Sequence, residues 1–271
     1  MKIVSCIKQV YDLDIVLEND WVVDESCKSV DIHYANRIMN SYDEASLEMM
    51  LQLKDKYLNI MTQALTIGNK STESILKKAL AIGVDEVIRI DIDINKINNP
   101  NDNATLIYES VKEDESIDII FCGKQSDINN YGQTGQILAE KLHWSCFTNV
   151  FEIEYIDNQF HISRLLKSGI ERIITKAPFV ITSIPSADKF LRMATLRDMM
   201  RANKETIKIK EYESLLTELE NRYNFEKITI EKPVKKCIYL EDEIDSKVET
   251  QLDELITKYR EIGDSKWNSL S

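Results

Sequence analysis

The sequence has little of what marks several common protein types. Its longest apolar stretches, such as 119–122 and 177–181, are far shorter than the ~20 residues a helix needs to cross a bilayer. No membrane insertion is expected. Histidine is scarce: His33, His143 and His161 are widely spaced, and Cys6, Cys27, Cys122, Cys146 and Cys237 contain no C-x-x-C pair. That scatter offers no compact metal-ligand set and reads as reduced structural thiols in the cytoplasm. Basic charge is in deficit, with 34 Lys and Arg against 46 Asp and Glu and a net charge of −12. A surface of that sign argues against non-specific nucleic-acid binding. Met1-Lys2-Ile3-Val4 enters a strand-like run at once, without the basic region, long apolar stretch and cleavage site of a signal peptide. No Ser/His/Asp or Cys/His set, paired catalytic acids or metal site is apparent, which agrees with a binding protein without acid–base machinery of its own.

What is present is a hydrophobic fraction of 43% in 271 residues, enough for one main domain and an appendage. Strand-like runs at 2–7, in part of 59–67, at 86–90 and at 119–122 alternate with helix-like segments at 42–53, 71–82, 102–111 and 133–142. Asp102 is expected to cap the third helix, and Gly83 to end the second. Alternation with apolar strands predicts α/β architecture, a parallel sheet covered on both faces. From Phe147 the pattern changes to runs at 148–155, 160–166, 171–175 and 179–183. Asp157-Asn158 and Ser168-Gly169 separate the first three, predicting an antiparallel extension over 147–183. A short helix is expected over 193–202. The expected organisation is a domain over 1–205, with a partner-docking segment at 186–204, and a C-terminal arm over 206–271. In that arm Ser246 and Glu249 have capping-box spacing at the start of a stripe of Val248, Leu252, Leu255 and Tyr259, which needs a surface to pack on.

The chain has only seven glycines, and Gly123, Gly132 and Gly135 fall in one 13-residue segment between a strand and a helix. A phosphate needs such a place: backbone free to approach it, N–H donors at a helix start, and the positive end of the helix dipole. Gln133 and Thr134 add neutral donors and Lys124 a cation. The other reading of the same segment is an ordinary βα loop with turn glycines. The spacing fits neither a Walker A loop nor G-x-G-x-x-G.

The ordered companions of this loop carry a resemblance. Cys6-Ile-Lys-Gln-Val10, Asn40-Ser-Tyr-Asp-Glu44, Ala79-Leu-Ala-Ile-Gly-Val-Asp-Glu86, Cys122-Gly-Lys-Gln-Ser126, Gly132-Gln-Thr-Gly135 and the run from Arg192 to Lys204 resemble, in order and over nearly the whole chain, the β subunit of electron transfer flavoproteins. The resemblance implies a doubly wound parallel sheet of the adenine-nucleotide-binding kind and a heterodimer with an α subunit. It implies FAD, carried by the α subunit, with AMP in the β site of ordinary members and a second FAD there in electron-bifurcating members of anaerobes. It implies an electron shuttle between an acyl-CoA-type dehydrogenase and an acceptor. By position, the nucleotide site comprises Cys6, Asn40, Ser41, Tyr42, Asp43, Ile67, Lys124, Gln125, Ser126, Asn129, Asn130, Gly132, Gln133, Thr134 and Gly135. Asp43 either caps its helix or meets the ligand. Leu196 matches the leucine that docks into the dehydrogenase, with Arg192 beside it; the alternative is that Leu196 faces the core among Met193, Met199 and Met200.

The chain departs from the family at three places. Asn40-Ser41 stands where Asn-Pro is common, Ile128-Asn129-Asn130 where Asp-Gly-Asp is usual, and Lys189-Phe190-Leu191 where Asn-Glu-Pro is usual. The second removes acidic side chains near a phosphate and bears on ligand choice; the third reshapes the docking loop. A stand-alone adenine-nucleotide-binding regulator is the competing function. An ATP-cleaving ligase of related fold would want a Ser-Gly-Gly-type loop where this chain has Lys8-Gln9-Val10-Tyr11-Asp12.

Overall fold

The structure is a computed structural model that describes residues 1–17, 20–23, 30, 32, 34–93, 99–126, 130–186, 190–212, 215, 252–253 and 256–257. The chain falls into two units, Met1–Thr229 and Ile230–Ser271. In chain order the first half runs β1 (Lys2–Cys6), β2 (Gln9–Tyr11), β3 (Arg37–Met39), α1 (Ser41–Lys56), β4 (Met61–Ile67), α2 (Glu73–Ala81), β5 (Glu86–Asp91), α3 (Pro100–Val111) and β6 (Ile117–Gly123). It continues with α4 (Thr134–Leu142), β7 (Ser145–Ile156), β8 (Gln159–Leu166), β9 (Gly169–Thr175), β10 (Phe179–Ser183), α5 (Leu196–Ala202) and β11 (Lys208–Glu211).

Alternation of buried side chains sets the frame. On β6, Ile119 and Phe121 enter one core and Ile120 and Cys122 the other. A strand apolar on both faces must be covered on both. Leu47, Met50, Ile75 and Leu76 of α1 and α2 close the first side, and Leu106, Ile107 and Leu138 of α3 and α4 the second. The sheet order is β11-β5-β4-β1-β6-β10-β7-β8-β9, parallel from β11 to β7 and antiparallel from β7 to β9. This is the predicted doubly wound α/β sheet with an antiparallel extension. Among the described residues no helix is long and apolar enough to cross a membrane.

The β7–β8 turn has Asp157 and Asn158 at φ 51° and 60°, the left-handed pair that a two-residue hairpin of type I′ requires. The run 179–183, by contrast, is not part of the antiparallel extension predicted over 147–183. It is β10, paired parallel to β6 and β7. All five of its residues are buried, which suits the middle of a sheet rather than a hairpin edge. The sheet also continues past residue 205, because β11 pairs parallel with β5. Its Lys208, Lys210 and Glu211 suit a solvent-facing edge, where lysines discourage pairing with other chains.

Two helix starts differ from expectation. Asn99, not Asp102, caps α3: its Oδ1 accepts from the Asp102 N–H at 2.9 Å, with Pro100 in the first turn. The helix expected over 193–202 begins at Leu196, where Thr195 Oγ1 accepts from the Asp198 N–H at 3.2 Å. Of the C-terminal stripe only Leu252, with its neighbour Asp253, is described as helical, together with Ile256 and Thr257; Val248, Leu255 and Tyr259 lie outside the described residues.

Candidate functional site

After β1 the chain builds β4 and β5 on one side, then returns to place β6 on the other. The carboxyl ends of β1 and β6 therefore flank the switch point, where a crevice opens in sheets of this kind. A cleft of about 330 Å³ lies there. Its walls include Cys6, Leu65, Ile67 and Cys122 towards the strand ends, Asn103 and Ile107 of α3 with its N-cap Asn99, and Gln133 and Thr134 at the start of α4.

Asp43 fixes this geometry. It sits in the first turn of α1 and borders the cleft, yet its carboxylate does not cap that helix. Oδ2 accepts from the Lys8 N–H just beyond β1 at 2.8 Å, and Oδ1 accepts from the Gly123 N–H at the end of β6 at 3.0 Å. One buried side chain thus ties together the two strand ends at the switch point. Burial pushes its pKa up to about 7, against the opposing pull of these hydrogen bonds, Asn40 and the Lys8 charge. Gly123 is required at its position because a Cβ there would lie 2.2 Å from Asp43 Oδ1 and 2.9 Å from Tyr42 Cβ.

The other loop glycines have different reasons. Gly132 adopts φ +61°, a left-handed conformation that glycine takes without strain. Gly135 lets α4 approach the sheet, since a Cβ would lie 2.7 Å from Thr182 Cγ2 and 3.2 Å from Cys122 Cβ. Gln133, at the N-cap of α4, makes no side-chain cap, so the helix start is left to other acceptors. Lys124 is exposed on the wall, and its N–H donates to the Ser183 carbonyl at 2.9 Å.

Of the predicted nucleotide residues, the structure brings Cys6, Asn40, Asp43, Ile67, Lys124, Gln125, Ser126, Gly132, Gln133 and Thr134 to the cleft wall. Tyr42 stands behind it. The Tyr42 hydroxyl accepts from Gln125 Nε2 at 3.0 Å, and Asn40 Nδ2 donates to the Gln125 carbonyl at 2.9 Å. Ser41 is the exposed first residue of α1, where the helix forms without the pre-set φ of the usual proline. Gly135 is buried beneath the wall, and Asn130 is exposed at φ 47° without lining the cleft. Asn129 and Ile128 lie outside the described residues.

Two cationic wall residues were not anticipated. Lys8 reaches Ser126 Oγ with Nζ at 3.4 Å, and burial lowers its pKa against the pull of Asp43. Its position directly after a central strand was the available signal. Arg37, on β3, donates to Ser71 Oγ at 2.6 Å and to the Tyr11 hydroxyl at 3.1 Å, with its guanidinium over the Tyr11 ring. Nothing in the sequence announced it, because β2 and β3 are only three residues each and show no period.

The residues expected to dock a partner lie outside the cleft. Arg192 is engaged within the chain: Nε and an Nη donate to the two Glu48 oxygens at 3.1 and 3.0 Å, and the other Nη pairs with Asp55 at 2.8 Å. The Arg192 N–H also donates to Glu48 at 3.0 Å. Burial opposes ionisation of Glu48, but the Arg192 contacts outweigh it and lower the pKa. Arg192 therefore fastens the segment before α5 onto α1. Leu196 does not face the core; it is 71% exposed, beside exposed Met193, Met199 and Met200, with Phe190 exposed further upstream. Leu191 and Ala194 pack inward instead.

A doubly wound sheet with a cleft at its switch point defines a ligand-binding α/β protein. The family model described as "Electron transfer flavoprotein domain" matches residues 28–214. The electron transfer flavoprotein subunit beta of Dictyostelium discoideum is 28% identical over 87% of this chain and 90% of its own length. That of Bos taurus is 28% identical over 83% and 85%, and that of Bacillus subtilis (strain 168) is 27% identical over 79% and 80%. The chain belongs to the electron transfer flavoprotein family, among its β subunits.

Proposed function

We propose that the chain is the β subunit of a cytoplasmic heterodimer that holds AMP or FAD in the cleft between β1 and β6. With an α subunit it passes electrons between an acyl-CoA-type dehydrogenase and an acceptor. The observation that carries the nucleotide reading is the convergence of apolar strand ends and the start of α4 on one cleft at the switch point. Cys6, Ile67 and Ile107 offer walls for an adenine. Gln133, Thr134 and the first N–H groups of α4 offer donors for a phosphate. Lys8, Lys124 and Arg37 concentrate positive charge on the cleft wall in a chain of net charge −12. Asp43 is a buried residue of the wall whose two oxygens accept from the Lys8 and Gly123 N–H groups and so set the strand ends. A flavin in the heterodimer supplies reversible uptake of electrons. The C-terminal arm is assigned to packing on the α subunit, because the stripe of Val248, Leu252, Leu255 and Tyr259 needs a partner surface.

Co-expression with the α subunit followed by nucleotide extraction tests this reading. AMP with one flavin per heterodimer is the outcome for simple electron carriage, and two flavins the outcome for bifurcation. A stable heterodimer holding neither AMP nor FAD would overturn the nucleotide assignment. A folded chain that never associates with an α subunit would favour a stand-alone regulator.

The exposed side of α5 is assigned to the dehydrogenase. Leu196→Ala is expected to leave assembly and flavin content intact and to weaken electron transfer with the dehydrogenase by about 2 kcal/mol, roughly thirtyfold in apparent affinity. Steady-state transfer at varied dehydrogenase concentration reads this. Loss of assembly or flavin in the variant would instead make Leu196 structural.

A further inference from the structure

Cys6 ends β1 and Cys122 lies near the end of β6, and the two are register partners in adjacent parallel strands. Side chains at paired positions of a parallel ladder point to the same face, and here both belong to the core on the α3 and α4 side. Neighbouring strands lie about 4.8 Å apart, within the ~4.4–6.8 Å Cα separation of natural disulfides. Both thiols line the cleft: Cys6 is partly exposed, whereas Cys122 is 4% exposed and lies under the start of α4. Both are free, and a thiol–thiol hydrogen bond with Cys6, followed by burial, pushes the Cys122 pKa up. Cys146 is a built-in comparison. It sits on β7, separated from β6 by β10, opposite Val180.

We propose that Cys6 and Cys122 form a redox-closable dithiol in the cleft, which a hydroperoxide converts to an interstrand disulfide. Cys6, the more accessible thiol, attacks the peroxide O–O bond, becoming a sulfenic acid and releasing an alcohol or water. The Cys122 sulfur then displaces the sulfenic hydroxyl. The S–S bond forms, and the Cys122 proton leaves with that hydroxyl as water. Two thiols are oxidised and one peroxide is reduced. The new bond draws the Cys6 sulfur towards Cys122 and crosslinks the strands on the opposite face of the sheet from α1. An occupant of the cleft shields Cys6, so ligand binding governs the reaction. That last step alone rests on the nucleotide reading above.

The test uses the full-length chain co-purified with its α subunit, stripped of nucleotide and fully reduced. It is treated with hydrogen peroxide, alkylated and mapped by mass spectrometry. The expected product joins the peptides of Cys6 and Cys122, with loss of two free thiols and recovery of both under dithiothreitol, while Cys146 takes the alkylating reagent. Cys6→Ala should leave Cys122 as a thiol, and Cys122→Ala should let Cys6 advance to sulfinic acid. Cys6 found as sulfinic acid beside an intact Cys122 thiol in the unmodified sequence, or Cys6 joined to a different cysteine, would overturn the proposal. A repeat with saturating AMP or FAD separates the two claims. Slower linkage supports both, and linkage at an unchanged rate leaves the dithiol standing while counting against the nucleotide in the cleft.

Discussion

Gly123→Ala is expected to destabilise the protein by about 3 kcal/mol or more, whereas Gly83→Ala costs only about 1 kcal/mol of backbone strain. Both glycines border strands, but their surroundings differ. Gly83 has φ +110° with no heavy atom within 4 Å of an added Cβ. At Gly123 the added carbon would lie 2.2 Å from Asp43 Oδ1, so the carboxylate must move. Its departure takes the acceptor from the Lys8 and Gly123 N–H groups at once, and a buried unsatisfied polar group costs about 1–3 kcal/mol. Overpacking against Tyr42 Cβ adds to this. Urea midpoints of the two variants give the comparison directly. A Gly123→Ala protein within about 0.5 kcal/mol of the parent would show that the strand ends do not depend on this contact.

The second large effect is on pH dependence. Burial holds the Asp43 carboxyl at about 7 in the folded chain, far above the ordinary carboxylate range of the unfolded one. Between about pH 4 and pH 7 the folded state binds more protons at this site, so stability falls as pH rises through that window and levels off above it. The full span corresponds to about 4 kcal/mol. Other carboxylates titrate nearby, notably Asp114, held at about 2 by its hydrogen bond to Lys2. The informative quantity is therefore the difference between the parent and Asp43→Asn. The amide keeps only one acceptor oxygen and does not titrate, so the variant's own stability carries no pH dependence from this site. The parent's advantage should be greatest near pH 4 and shrink towards pH 7. A difference that stays flat across this window would mean that Asp43 titrates like an ordinary carboxylate.

The parallel core was legible because its signals are local. Apolar runs of four to seven residues alternate with helical stripes, and α1, α2 and α4 fall within a few residues of their predicted ends. The placement of β10 was not legible. Four successive strand-like runs look alike, and only long-range packing decides that the last enters the middle of the sheet. The site divides the same way. Residues in or beside the glycine-bearing loop could be grouped by position, and most of them reach the cleft wall. What each does there needed coordinates. Asp43 offered two roles, capping or ligand contact; it does not cap its helix, and it accepts from N–H groups 35 and 80 residues away in the chain. Arg192 reads in the sequence as a docking residue beside Leu196, and its pairing with Glu48 and Asp55 within the chain needed coordinates. Arg37 reaches the cleft through a three-residue strand pairing too short to leave a periodic trace.

The position of β10 has a consequence for how the chain is made. Emerging from a ribosome, β7, β8 and β9 appear before the strand that attaches them to the parallel core. Until residues 179–183 are synthesised, β6 carries an open edge and β7 has no parallel neighbour. An unpaired, apolar strand edge is an invitation to other chains. The nascent protein is thus most exposed to mispairing while its hairpins are already complete, and that interval closes with the five residues from Phe179 to Ser183.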